Sequence, residues 1–142
     1  MDLTKTYPRS PYAKLSNLYM LGRTVDKARA KLDGDLGEYL YDCPLDKILF
    51  SFLQISASQL LRIVSEVTGD DEIAARIVSA QATSNTNDIA AFNRRVAALA
   101  PEDAETQAYF DNLRQQLAPN HPEIKTWFDL IEAEEGRLTE VS

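Results

Sequence analysis

A chain of 142 residues, 44% hydrophobic and 26% charged, fits one domain with a real core and excludes a disordered polymer. No long apolar run follows Met1-Asp2, so neither a signal peptide nor a membrane span is expected, and the lone Cys43 excludes an internal disulfide. A cytoplasmic location is the default expectation.

The net charge of −7 is unevenly spread. Residues 1–32 hold seven Lys/Arg and two Asp/Glu, a balance of +5, whereas residues 33–142 hold eight and twenty, a balance of −12. An acidic body repels phosphate backbones and disfavours nucleic acid as a partner. The basic first 32 residues either lie against the protein's own acids or meet an external anion.

In chain order, residues 1–16 read as an N-terminal strap. Pro8 and Pro11 fix φ and remove donors, and Ser10-Pro11 fits N-cap and N1 of a first short helix. A long helix is predicted over 17–33, with Leu18, Leu21, Val25, Ala28 and Leu32 as one apolar seam. Asn17 is its expected cap, and Gly34 its left-handed end. Gly22 inside it costs about 1 kcal/mol against alanine and suggests close approach of another backbone. Residues 34–44 form a loop.

The predicted body runs over 45–135. Leu45, Ile48, Leu49, Phe52 and Leu53 make a second apolar stripe. Ser56 with Gln59 is a capping-box pair opening a helix to about Val67. Gly69 ends that helix, and an aspartate caps the next, over about 71–82. Residues 82–87 read as a polar connector before a helix with the seam Ile89, Phe92, Val96 and Leu99. Pro101 suits N1 of the following helix, which packs through Thr106, Phe110, Leu113 and Leu117. Thr126 caps a last helix with Trp127, Leu130 and Ile131, ended by Gly136. No strand-like alternation and no repeat appears. The expected fold is all-α, a single compact bundle of six or seven short helices forming one domain over 1–142.

The pattern resembles a bacterial family known as domain of unknown function 5069. The residues that carry the resemblance are Asp2-Leu-Thr-Lys5, Pro8-Arg-Ser-Pro11, Leu21-Gly-Arg23, Asp26 to Leu32, Gly37-Glu-Tyr39, Cys43-Pro-Leu-Asp46, Thr126-Trp-Phe-Asp129 and Glu135-Gly-Arg137. The resemblance implies a helical, soluble bacterial protein and no particular activity.

Two stretches are candidates for a site. Arg23, Asp26 and Arg29 recur at i+3 on the long helix, with Lys27 at i+4 from Arg23. The arginines suit a carboxylate or phosphate, with Asp26 holding their planes; the plainer account is an ion-pair ladder on a solvated or loop-covered face. The second stretch, Tyr39 to Asp46, gathers Tyr39, Tyr41, Cys43 and Asp46. Cys43 lies near a helix start, which favours a thiolate, but Asp42 and Asp46 oppose one. The only histidine, His121, is far away in sequence, so a buried structural thiol fits better and no catalytic residue is assigned. Asp46 also fits the first turn of a helix without any function.

Trp127 and Phe128 are candidates for a partner surface, Phe128 lying off the stripe of its helix. One histidine and one cysteine cannot make a typical zinc site, and no metal or cofactor is expected. The leading expectation is therefore a non-catalytic helical domain that binds a protein partner or itself as a homodimer. The alternative is a small anionic ligand, or an enzyme site, between Arg23, Asp26 and Arg29 and the 39–46 loop.

Overall fold

The computed structural model describes residues 1–80 and 86–137, and these form two compact units, 1–96 and 97 onward. Seven helices appear among the described residues, with no strand beyond an isolated bridge between Leu15 and Leu18. The fold is all-α. No single helix is long and apolar enough to cross a membrane; the helices over 44–53 and 57–66 reach that length only as a pair bent by 79°. The expected helix end at 82 and most of the polar connector 82–87 lie outside the described residues.

In the first unit, α1 (Leu21–Asp33) packs on α3 (Ala57–Glu66), and α3 packs on α4 (Asp70–Ala80). α2 (Pro44–Leu53) meets α5 (Thr86–Ala97) where the rings of Phe52 and Phe92 stack at 4.5 Å. Leu21, Val25, Ala28, Leu49, Leu53, Leu60, Ile73, Ile77, Phe92 and Val96 are all essentially inaccessible. Each buried aliphatic or aromatic side chain contributes about 1.5–3 kcal/mol of transfer free energy. The capping box at Ser56 and Gln59 forms in both directions. Gly34 ends α1 at φ 76°.

The start of α1 differs from expectation. Asn17 is not a helix cap: it sits at φ 68°, next to Ser16 at 53°, in a loop closed between Leu15 and Leu18. Asn93 of α5 holds that loop, accepting from the Tyr19 N–H and donating to the Asn17 carbonyl, both at 2.9 Å. The helix begins only after the buried Met20, whose φ of 72° is rare for a residue with a Cβ. Leu32, placed on the seam by spacing, is 47% exposed. Ser10 and Pro11 make one turn and no helix; the Ser10 hydroxyl and carbonyl accept from the Tyr12 and Ala13 N–H groups. Gly69 is not the end of α3, which closes on an extended Val67; its carbonyl instead accepts the first bond of α4 from Ile73.

The second unit holds α6 (Ala104–Leu117) and α7 (Trp127–Glu134), which pack together. Pro101 precedes α6, and Asp103 is the cap, accepting the Thr106 N–H at 2.7 Å. Phe110, Ala118, Ile124 and Leu130 make the core of this unit, with Trp127 edge-on to Phe110 at 5.0 Å. Thr126 caps α7 as expected. Leu117, expected on the seam of α6, is 38% exposed.

Candidate functional site

A surface helix normally alternates between core and solvent, but α1 is covered nearly all round: nine of its thirteen residues are buried. Arg23, Thr24, Asp26 and Lys27 are each 5% exposed or less. Burying a charge is costly unless it is paired and hydrogen-bonded, so each of these groups needs a partner. The strap provides one set, and the 39–46 loop the other.

Arg9 of the strap lies flat on α1 over Gly22. A Cβ at residue 22 would stand 3.1 Å from Arg9 Nε and 3.2 Å from its Cζ, so the glycine admits a guanidinium rather than another backbone. Asp26 accepts from the Arg9 backbone N–H at 2.8 Å and from Nε and Nη2 at 3.1 Å. The other edge of the guanidinium reaches Asp70 at 2.8 Å. Arg29 joins the same cluster, donating to Asp70 at 3.2 Å and to the Thr68 carbonyl at 2.7 Å, while its Nη1 stays 3.7 Å from Asp26. Burial works against the charge on Arg9, yet the bonds to Asp70 and Asp26 outweigh it and raise its pKa. The Arg9 bond holds Asp70 below the ordinary carboxylate value, against partial burial.

One turn along, Asp46 is fully buried at the start of α2. Its Oδ1 accepts from the Thr24 hydroxyl at 2.8 Å; its Oδ2 accepts from Lys27 at 2.7 Å and from the Asp42 and Cys43 N–H groups at 3.0 and 3.2 Å. Lys27 places its three protons on Asp46, on the Leu40 carbonyl at 3.1 Å and on Cys43 Sγ at 3.4 Å. The geometry makes this a closed buried pair rather than an acid or base open to a substrate. Asp42 takes φ 67°, which turns the loop so that its N–H points at Asp46.

The structure thus brings α1 and the loop together, at successive turns of the helix. Arg23 lies 5.6 Å over the Tyr39 ring and donates to the Arg9 carbonyl at 3.2 Å. Lys27 meets Cys43. Asp26 braces Arg9 through three hydrogen bonds and stands 3.7 Å from Arg29 Nη1. Tyr41 turns away to the Ala57 carbonyl at 2.6 Å and sits edge-on to Phe50. Burial, followed by the charges of Asp46 and Asp42, pushes its phenol well above the ordinary tyrosine pKa. Cys43 is a half-buried free thiol. At the other end of the chain, Phe128 is fully buried and Trp127 half-buried, so Phe128 offers no ring face to a partner.

Spacing alone did not single out Arg9 and Asp70 as partners beside Asp26 and Arg29, or Thr24 as a partner of Asp46. The signal for Arg9 is its setting between Pro8 and Pro11 with a helical glycine, Gly22, to receive it. Asp70 reads locally as an acid at a helix start, and nothing near it in sequence announces Arg9. Among the described residues no group of three or more His, Cys, Asp or Glu side chains could hold a metal ion.

Residues 5–137 match the model of the family described as Domain of unknown function (DUF5069). The chain belongs to that family. No curated protein matches it.

Proposed function

We propose that this DUF5069 chain is a non-catalytic helical interaction domain, and that its buried charge cluster is the framework that fixes the 39–46 loop. The observation that carries this reading is Asp46, which is fully buried and receives four donors on its two oxygens. A general acid or base must reach the proton it moves, and Asp46 is fully buried with both oxygens engaged by the protein's own donors. Lys27 is engaged in the same way. The alternative, an anion held by Arg23 and Arg29 against the loop, loses support because those side chains already serve Arg9, Asp70, Thr68 and Tyr39.

What the framework does is hold a loop still. Arg23 lies over the Tyr39 ring, Lys27 donates to the Leu40 carbonyl and Tyr41 donates to the Ala57 carbonyl, and between Tyr39 and Tyr41 the Leu40 residue is 71% exposed. A single exposed leucine is ordinary on a protein surface. One presented on a loop pinned at both sides costs little ordering on docking, which suits a protein partner. A cytoplasmic setting agrees with the free thiol of Cys43.

The test compares wild type with Leu40→Asp by native mass spectrometry and by recovery of partners from cell extract. The substitution is expected to abolish a specific complex, whether with a partner or a second copy, without lowering the melting temperature. A turnover that depended on Lys27, Cys43 or Asp46 would sink the proposal.

A further inference from the structure

The second unit carries a cleft of about 600 Å³ between α6 and the segment that follows it. That volume lies in the range of small-molecule sites. α6 contributes Gln107, Asp111, Arg114 and Gln115, which at spacings of four, three and one fall on one stripe of the helix. The segment after α6 turns back at Pro119 and Pro122 and brings Ile124 and Lys125 to the other side. Ile124 is 4% exposed and belongs to the core of this unit, so the floor of the cleft is fixed.

The donors in this cleft are open. Arg114 makes one bond, from Nη1 to the Ala118 carbonyl at 3.2 Å, which leaves four of its five N–H groups. Among the described residues the Lys125 and Gln115 side chains have no hydrogen bond or ion pair. The acid of the lining, Asp111, is held by the Gln107 amide at 2.9 Å. Glu123, which feels the charge of Arg114, is engaged with the His121 ring at 2.8 Å. One carboxylate does not cancel two cations, so the lining is net positive in a chain whose net charge is −7.

We infer that this cleft binds a small hydrophilic anion, one that carries carboxylates or a phosphate. Arg114 offers a planar fork that matches either group, Lys125 a mobile point charge, and the Gln115 amide a neutral donor between them. The inference rests on the binding-domain reading and supplies it with a ligand class. Because the walls are wet, affinity should fall as salt rises.

The test is a nuclear magnetic resonance titration of the whole chain with sodium phosphate, with succinate, and with sodium chloride as control. Saturable amide shifts confined to residues 107–115 and 122–126 are expected with at least one of the two anions. Lys125→Glu should weaken that binding at least tenfold while leaving the melting temperature unchanged. A response to phosphate alone assigns a phosphate ester, and to succinate alone a dicarboxylate. Shifts no larger than those with chloride, or unaltered by Lys125→Glu, overturn the site and leave the interaction-domain reading standing. Hydrolysis of a phosphate ester in the cleft would do the reverse, ending the non-catalytic reading and keeping the anion site.

Discussion

Both units of this protein gather basic residues, and they treat them in opposite ways. In the first unit Arg9, Lys27 and Arg29 are matched donor by donor to Asp26, Asp46, Asp70 and backbone carbonyls. In the second, Arg114 and Lys125 face a cleft with most of their donors open. Residue type and charge are the same in the two places. What separates a framework from a candidate binding surface is whether the partners come from within the chain, and this can be read only by following each donor to its acceptor.

The sharpest way to break that comparison is to remove Asp46. Asp46→Ala leaves the Lys27 ammonium, the Thr24 hydroxyl and two backbone N–H groups buried without their acceptor. The expected loss is about 3–5 kcal/mol, measured by urea unfolding. Pairing Lys27→Met with Asp46→Leu should recover part of it, with about 1–3 kcal/mol remaining for the unmatched hydroxyl and N–H groups. A single Asp46→Ala variant as stable as wild type would mean that the cluster is not a framework at all.

Gly22 gives a test with a change of sign. Alanine is worth about 1 kcal/mol over glycine in a helix interior and less in the first turn, where Gly22 stands. In the wild type, however, the new Cβ would push on the Arg9 guanidinium, 3.1 Å away, and loosen its bonds to Asp26 and Asp70. Gly22→Ala is therefore expected to destabilise the wild type by about 1 kcal/mol and to stabilise an Arg9→Ala background by about 0.5 kcal/mol. Thermal melts of the four proteins in this cycle decide it; the same sign in both backgrounds would show that the two residues do not meet.

These two clusters also mark where sequence reasoning reached and where it stopped. Local signals were legible: the Ser56–Gln59 box, the Thr126 cap and the left-handed Gly34 each depend on a few adjacent residues. The spacing of Arg23, Asp26, Lys27 and Arg29 put them on neighbouring positions of one helix, with a solvated or loop-covered face as the plainer reading. That the face is covered depends on the strap, which arrives from 14 to 17 residues away, and on Asp70, which is 61 residues from Arg9. Periodicity carries no information about such contacts. The late start of α1 has the same cause, since Asn93, 76 residues beyond Asn17, holds the loop that a local cap would have replaced. For the 97–137 unit, Asp103 rather than Pro101 starts α6 because its side chain reaches Thr106, a choice that local propensity left open.

Acid pH should probe the first cluster more gently. The Arg9 bond depresses the Asp70 pKa in the folded state, so its contribution is fully present above the ordinary carboxylate value of 3.8 and is lost as pH falls through the lowered one. The stability difference between wild type and Asp70→Asn should be flat from pH 7 down to about pH 5 and shrink below about pH 4. Asp70 is 38% exposed, so solvent screens the effect and the difference will be small. A difference that grew on acidification would reverse the sign and contradict the Arg9–Asp70 pairing.

The smallest stability effect belongs to the cleft, and its smallness is the point. Lys125 is exposed and makes no internal bond among the described residues, so Lys125→Glu and Gln115→Ala should each change unfolding free energy by less than about 0.5 kcal/mol. Arg114→Gln should cost somewhat more, because it gives up the bond to Ala118 at the end of α6. Lys27 and Lys125 then form the decisive pair. Both are lysines beside carboxylates and amides, the first buried and the second exposed, yet replacing the first should threaten the fold and replacing the second should be felt only by a bound anion. If Lys125→Glu proved as destabilising as a change at Lys27, its charge would be answering to the protein itself, and the cleft would be a second framework with no ligand to explain.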